Sequence, residues 1–320
     1  MGKLSSFTIG AITGAAGVFG IKSYLRYRHD LLAAENRLKK NSRHIETTFG
    51  PIVYGMEGSG SPVLAVHGAG GGFDQALQVT RIFGNNFQWI APARFGYLGT
   101  PLPENGSPIA QADAHAAFLD AMDIEQIPII GMSAGGPSAL QFALRHPDRC
   151  TGLVMVAAIS HAMIDVIPNP EVLEIVLDGL LVSDWPVWLG LQLAIRKIRP
   201  PMGVPMKVIK QINPEDDAWL QTLLSYVLPV QPRRAGLLND LRTMLQVEVY
   251  PLEQIRVPTL VIHAQDDSLV SIKHARFSAK YIPGARLVEL TSGGHLLLGQ
   301  REHVKAEVEP FLMEVTSSAL

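Results

Sequence analysis

Cysteine is nearly missing from this chain: Cys150 is the single one in 320 residues. No intrachain disulfide can form and no Cys-rich zinc site can be built, a pattern that suits a reducing compartment. Cys150 itself reads as a small buried apolar residue. Charge is sparse as well, at 18 % of residues with a formal net charge of −2. Without a basic surplus the chain lacks the electrostatic footprint of a nucleic-acid partner. Low-complexity tracts and internal repeats are missing too. A hydrophobic content of 47 % excludes disorder of the chain as a whole and allows a large core.

Apolar runs long enough for a bilayer are also scarce. Crossing one takes roughly 20 apolar residues. The nearest approach is Phe7–Ile21, uncharged throughout, which reaches that length only if Lys22 snorkels and the count extends to Leu25. With Lys22, Arg26 and Arg28 on its C-terminal side, a span over residues 7–25 predicts a membrane-associated protein whose main domain is cytoplasmic. A soluble cytoplasmic protein with a loose tail is the alternative. The opening Met1-Gly2 with Ser6 also fits the loose myristoylation pattern. The next stretch, Tyr24–Lys40, reads as a basic amphipathic helix that lies on a membrane or links to the domain. Residues 1–42 are thus one unit.

From His44 onward, apolar runs alternate with helical patterns. Short antiparallel strands are expected at 44–48 and 51–57, and buried strands at 62–68, 87–93, 127–133, 151–160, 257–265 and 285–290. Helices are expected at 109–123, 134–147, 271–284 and 301–315, the first introduced by Ser107-Pro108. This alternation predicts an α/β fold with a mostly parallel sheet flanked by helices. It breaks between 161 and 250, where prolines, tryptophans and helical periodicity indicate a helical cap inserted after strand 6. The core is then 43–160 together with 251–320.

The segment "IPIIGMSAGGPSALQFALRHP" packs small residues around Ser133 where a strand gives way to a helix. A turn that tight crowds its neighbours, and glycine at 131 and 135 relieves the crowding. A serine needs a base, a group to orient that base, and donors for a developing oxyanion. This G-x-S-x-G in strand–turn–helix context resembles the nucleophile elbow of the α/β-hydrolase superfamily, serine-nucleophile branch, with esterases and lipases as its type members. The resemblance runs from about His44 to the end of the chain and implies partners in the order serine, acid, histidine.

Asp267 follows the strand "VPTLVIHA" in a stretch similar to the family's G-x-x-D-x-x-V, with Ala264 in place of the glycine. Asp266 is the second choice and Asp165 the third. His295, in "TSGGHLL", is the histidine with the loop position and order the family implies; His263, His115 and His274 read as structural. By the same resemblance, "VHGAGGG" supplies one oxyanion N–H at Ala69, the second being that of Ala134, while His67 shapes the loop. The glycine run lacks the Lys-Ser/Thr of a phosphate cradle. The loop "PARFGYLGTP" departs from the family form at Ala93, Leu98 and Thr100.

A serine at the elbow implies acyl transfer through an acyl-enzyme, with no cofactor and no metal. The expected substrate is a small, lipophilic carboxylic ester. Three alternatives remain: a carbon–carbon bond hydrolase acting on diketones, whose substrate carboxylate Arg196, Arg233 or Arg234 could hold; a small-molecule receptor on the same fold; and acyl transfer to an acceptor other than water. The default for the three arginines is solvation at the surface.

Overall fold

A computed structural model describes residues 4–163, 169–197 and 202–317. Its strands are β1 (Arg43–Thr47), β2 (Gly50–Gly58), β3 (Ser61–Val66), β4 (Phe87–Pro92), β5 (Ile127–Met132), β6 (Cys150–Val156), β7 (Thr259–Ala264) and β8 (Arg286–Leu290). Together they form one eight-stranded sheet in the order β1-β2-β4-β3-β5-β6-β7-β8 among the described residues. Only the β1–β2 and β2–β4 pairs are antiparallel; β3 onward is parallel. The parallel strands read as continuous apolar runs because helices cover both of their faces, and β5 and β7 are buried at every residue.

The helices are α1 (Leu4–Asn41), α2 (Phe73–Thr80), α3 (Pro108–Ala121), α4 (Gly136–Arg145), α5 (Pro170–Leu180), α6 (Asp184–Lys197), α7 (Met206–Ile209), α8 (Pro214–Ser225), α9 (Arg234–Leu245), α10 (Lys273–Tyr281) and α11 (Arg301–Ser317). One core joins α2 and α11 to a sheet face through Phe73, Leu77, Val304 and Val308. Another joins α3, α4 and α10 to the opposite face through Phe118, Leu119, Phe142 and Ala275. Helix α3 starts as its sequence predicts: the Ser107 hydroxyl accepts from the Ala110 N–H at 3.2 Å, and Pro108 occupies the first turn.

Helices α5 to α9 all lie between β6 and β7. The N-terminal region forms one continuous helix, α1. Its C-terminal half packs on this helical region: Ala34 is buried with Trp188, Leu228 and Val230. Arg37 reaches Asp74 at the start of α2 (3.1 Å) and the Leu228 carbonyl (2.8 Å). The expected span over residues 7–25 finds no support, since among the described residues no helix is long and apolar enough to cross a membrane.

Candidate active site

The parallel strands point their C-terminal ends at one edge, and the loops leaving those ends carry the chemistry, as is usual for open α/β sheets. Ser133 follows β5 with φ +50°, a left-handed conformation that costs a side-chain-bearing residue energy. A short 3₁₀ turn (Ser133–Gly135) intervenes before α4, so the α-helix starts two residues later than its pattern suggests. The turn brings α4 so close to β3 that a Cβ on Gly135 would lie 2.6 Å from the Val66 carbonyl oxygen and 2.8 Å from that of His67. A Cβ on Gly131 would lie 2.6 Å from that of Ala139. The elbow glycines are therefore required by close approach.

Asp267 follows β7 and His295 follows β8. His295 Nε2 lies 3.0 Å from Ser133 Oγ, and its Nδ1 lies 2.8 Å from Asp267 Oδ2. Both Asp267 and His295 are buried. The other carboxylate oxygen, Oδ1, accepts the N–H groups of Leu269 (2.8 Å) and Val270 (3.0 Å). Burial opposes ionisation of Asp267, but hydrogen bonds from His263, His295 and the Val270 N–H outweigh it and hold the carboxyl well below the usual carboxylate range. An ionised Asp267 makes His295 Nδ1 the protonated nitrogen, leaving Nε2 free to accept from the serine hydroxyl.

Asp266, the second-choice acid, has a different partner. Its Oδ1 accepts the Gly294 N–H at 2.8 Å, which ties the acid loop to the histidine loop. Asp165 and the side chain of Arg196 lie outside the described residues. Arg234 pairs with Asp178 at the surface. Arg233 corrects the expectation of a solvated arginine: it is 2 % exposed, donates to both oxygens of Asp74 (3.1 and 2.9 Å), and bonds the Gly71 carbonyl. Such a charge stays buried because its carboxylate partner is buried with it.

The loop after β3 runs beside Ser133; a Cβ on Gly68 would lie 2.9 Å from the serine Cβ. Ala69 lines the cavity above the serine, and Ala134 directly follows Ser133 in the turn. His67 is neutral and structural: Nδ1–H donates to the Gly68 carbonyl (2.8 Å), while Nε2 accepts the Arg94 N–H (3.0 Å). Burial, aided by the charge of Arg94, pushes its pKa well below the ordinary imidazole value.

A cavity of about 140 Å³ opens over Ser133. Its walls are mostly aliphatic, with Met202, Trp219 and Leu223 contributed by the region between β6 and β7, and Val79 and Ile82 by α2 and the turn after it. Among the described residues lining it, none is charged.

With this geometry in place, the alpha/beta hydrolase family model matches residues 63–308. The chain belongs to that family. An uncharacterised hydrolase of Bacillus subtilis, YcgS, is 29% identical over 272 residues, spanning 80% of this chain and 93% of that protein. A 2-hydroxymuconate semialdehyde hydrolase of Pseudomonas putida is 26% identical over 286 residues, 81% of this chain and 89% of that one. Among solved structures, an alpha/beta hydrolase fold protein from Nakamurella multipartita superimposes with a TM-score of 0.69 at 29% identity, covering 86% of this chain and 98% of that one.

Two features of this family member escaped sequence reasoning. His263 Nε2 lies 3.0 Å from Asp267 Oδ2 and 2.8 Å from the Val270 carbonyl. Both partners are acceptors, so Nε2 carries the proton and His263 props the acid. Its place four residues before Asp267 at the end of a strand was the available signal. The second is the loop after β4, which lodges beneath α9. Arg94 donates from Nε to the His67 carbonyl (2.9 Å), and Tyr97 accepts the Gly70 N–H (3.0 Å) and donates to Asp240 on α9. The departures from the family form belong here: Thr100 accepts the Val53 N–H at 3.0 Å, and the Leu98 N–H bonds the Pro232 carbonyl at 2.7 Å.

Proposed function

We propose that this hydrolase cleaves a carboxylic ester with an apolar acyl or alkyl group, using Ser133 as nucleophile. The observation that carries the reading is the unbroken line from Asp267 through His295 to Ser133 Oγ, with separations of 2.8 and 3.0 Å. His295 takes the serine proton as Oγ bonds to the carbonyl carbon. The N–H groups of Ala69 and Ala134 receive the oxyanion. Collapse of the tetrahedral intermediate breaks the ester C–O bond, and His295 returns the proton to the departing alkoxide. Water, deprotonated by His295, then attacks the acyl-enzyme and releases the acid. Asp267 stays ionised throughout and stabilises the imidazolium.

The aliphatic cavity walls favour an apolar substrate. Helices α5–α9 act as the lid that supplies part of that wall. Carbon–carbon bond cleavage, the alternative suggested by the semialdehyde hydrolase likeness, has less support. Arg233 is committed to Asp74 and Arg234 to Asp178, so neither is available to hold a substrate carboxylate.

The test offers p-nitrophenyl esters of graded acyl length to the full chain and to Ser133→Ala. Turnover with medium or long acyl groups that vanishes in the variant is expected, together with fluorophosphonate labelling of Ser133. Labelling at another residue, or equal turnover by the variant, contradicts the reading.

A further inference from the structure

Helix α5 is amphipathic in the opposite sense to an ordinary surface helix. Two of its three acidic side chains are held against α9: Glu174 accepts from Arg242 at 3.0 Å and Asp178 pairs with Arg234, while Glu171 in the first turn is exposed. Leu177 packs inward on the cluster around Trp188. The solvent side carries Val172, Ile175, Val176 and Leu180, at the spacing of one helical stripe, with Ile175 73% exposed and Val172 60%. The stripe continues through exposed Val182 to Trp185. Trp185 meets Tyr24 of α1 with ring centroids 6.5 Å apart, and Ile21 and Leu25 beside it are exposed as well.

We propose that this face docks on an anionic lipid surface, with the α5 stripe and the apolar end of α1 dipping into the bilayer interface without crossing it. Charge favours that occupant. Residues 1–42 hold seven Lys and Arg against two Asp and Glu, in a chain whose net charge is −2. Lys22, Arg26 and Arg28 follow the uncharged run Phe7–Ile21 directly and stand where headgroup phosphates would meet them. Exposed Tyr24 and half-buried Trp185 and Tyr27 join the stripe to α1, resting on the buried Trp188, with adjacent ring centroids 5.1 to 6.5 Å apart. Aromatic side chains with a polar edge favour the interfacial depth of a membrane. Of the three acids on α5, Glu174 and Asp178 are paired inward, which leaves Glu171 at the N-terminal edge of the stripe as the one that opposes the approach. A second copy of the chain is a poorer occupant, because a two-fold contact sets each patch, and the cations beside it, against its own like. The inference is independent of the reaction proposed above.

The experiment is co-sedimentation of the full chain with vesicles of phosphatidylcholine alone or with one quarter phosphatidylglycerol. The proteins are wild type, the pair Ile175→Asp/Val176→Asp, the pair Lys22→Glu/Arg28→Glu, and Val249→Asp as an exposed apolar control away from the stripe. Each is first matched to wild type by circular dichroism and melting temperature. Wild type and Val249→Asp are expected to bind anionic vesicles at least tenfold better than neutral ones, with added salt weakening the binding. Ile175→Asp/Val176→Asp is expected to lose at least tenfold on anionic vesicles, and Lys22→Glu/Arg28→Glu to lose the preference for them. Binding unchanged in Ile175→Asp/Val176→Asp overturns the proposal. So does a dimer that those two aspartates dissociate, seen by light scattering, with no vesicle binding.

Discussion

Asp240 and Arg94 form a bidentate ion pair, Nη1–Oδ1 2.6 Å and Nη2–Oδ2 2.7 Å, buried between α9 and the loop after β4. Through the remaining donor of Arg94 and the hydroxyl of Tyr97, that pair holds the His67 carbonyl and the Gly70 N–H. The loop proposed to receive the oxyanion is therefore positioned from the helical region between β6 and β7. Asp240→Asn strands a buried guanidinium and is expected to cost about 3–5 kcal/mol of stability. Tyr97→Phe removes a smaller element, a single hydroxyl with two partners, and is expected to cost about 1–3 kcal/mol. In Tyr97→Phe, kcat should fall while KM changes little, because the loop matters most to the charged intermediate. Chemical denaturation and steady-state kinetics check the two effects separately; a change confined to KM would contradict the positioning role.

The two adjacent aspartates should separate cleanly. Asp267→Asn is expected to lower kcat by about 10⁴, through loss of the correct imidazole tautomer. Asp266→Ala removes only the brace on Gly294 and should cost about 1 kcal/mol of stability with a modest loss of rate. Equal losses in the two variants would mean that the acid has been misassigned.

His263→Phe deletes the donor that props Asp267. The Asp267 carboxyl should then titrate closer to the ordinary carboxylate value. In the wild type its depressed pKa adds stability that is complete above about pH 4 and is lost as the pH falls through the native value. Melting curves of wild type and His263→Phe should therefore lie furthest apart near neutrality and converge as the solution is acidified.

Acid should act earlier through two other histidines. Burial brings His115 and His274 down to about 3. Unfolded, each binds a proton near pH 6.5, so between these limits the unfolded chain holds more protons. Stability then falls with falling pH by up to about 1.4 kcal/mol per unit for each histidine. Both ring nitrogens of His115 are buried without a hydrogen-bond partner. His115→Phe should flatten the decline between pH 6.5 and 4, measured by urea titration.

Gly135→Ala should be more harmful than its size suggests. The added methyl meets the carbonyl oxygens of Val66, at the end of β3, and of His67 just after it, backbone atoms that cannot rotate away as a side chain would. The expected cost is about 1–3 kcal/mol, with Ser133 displaced and fluorophosphonate labelling slowed by at least tenfold.

The linear order of residues was enough to predict the alternation of strands and helices, the elbow around Ser133 and the succession Ser133, Asp267, His295. Those signals are local: apolar periodicity, glycines forced by a tight turn, and loops that begin where buried strands end. What lay beyond it were contacts between segments distant along the chain. Arg233 and Arg234 are neighbours in sequence, yet one is buried against Asp74 and the other pairs at the surface, because the turn into α9 directs them to opposite sides. Nothing near Asp240 announces Arg94, 146 positions away. The identity of a side chain limits what it can bond, but which partner it meets, and whether water competes for it, is decided only when the helices between β6 and β7 close over the sheet.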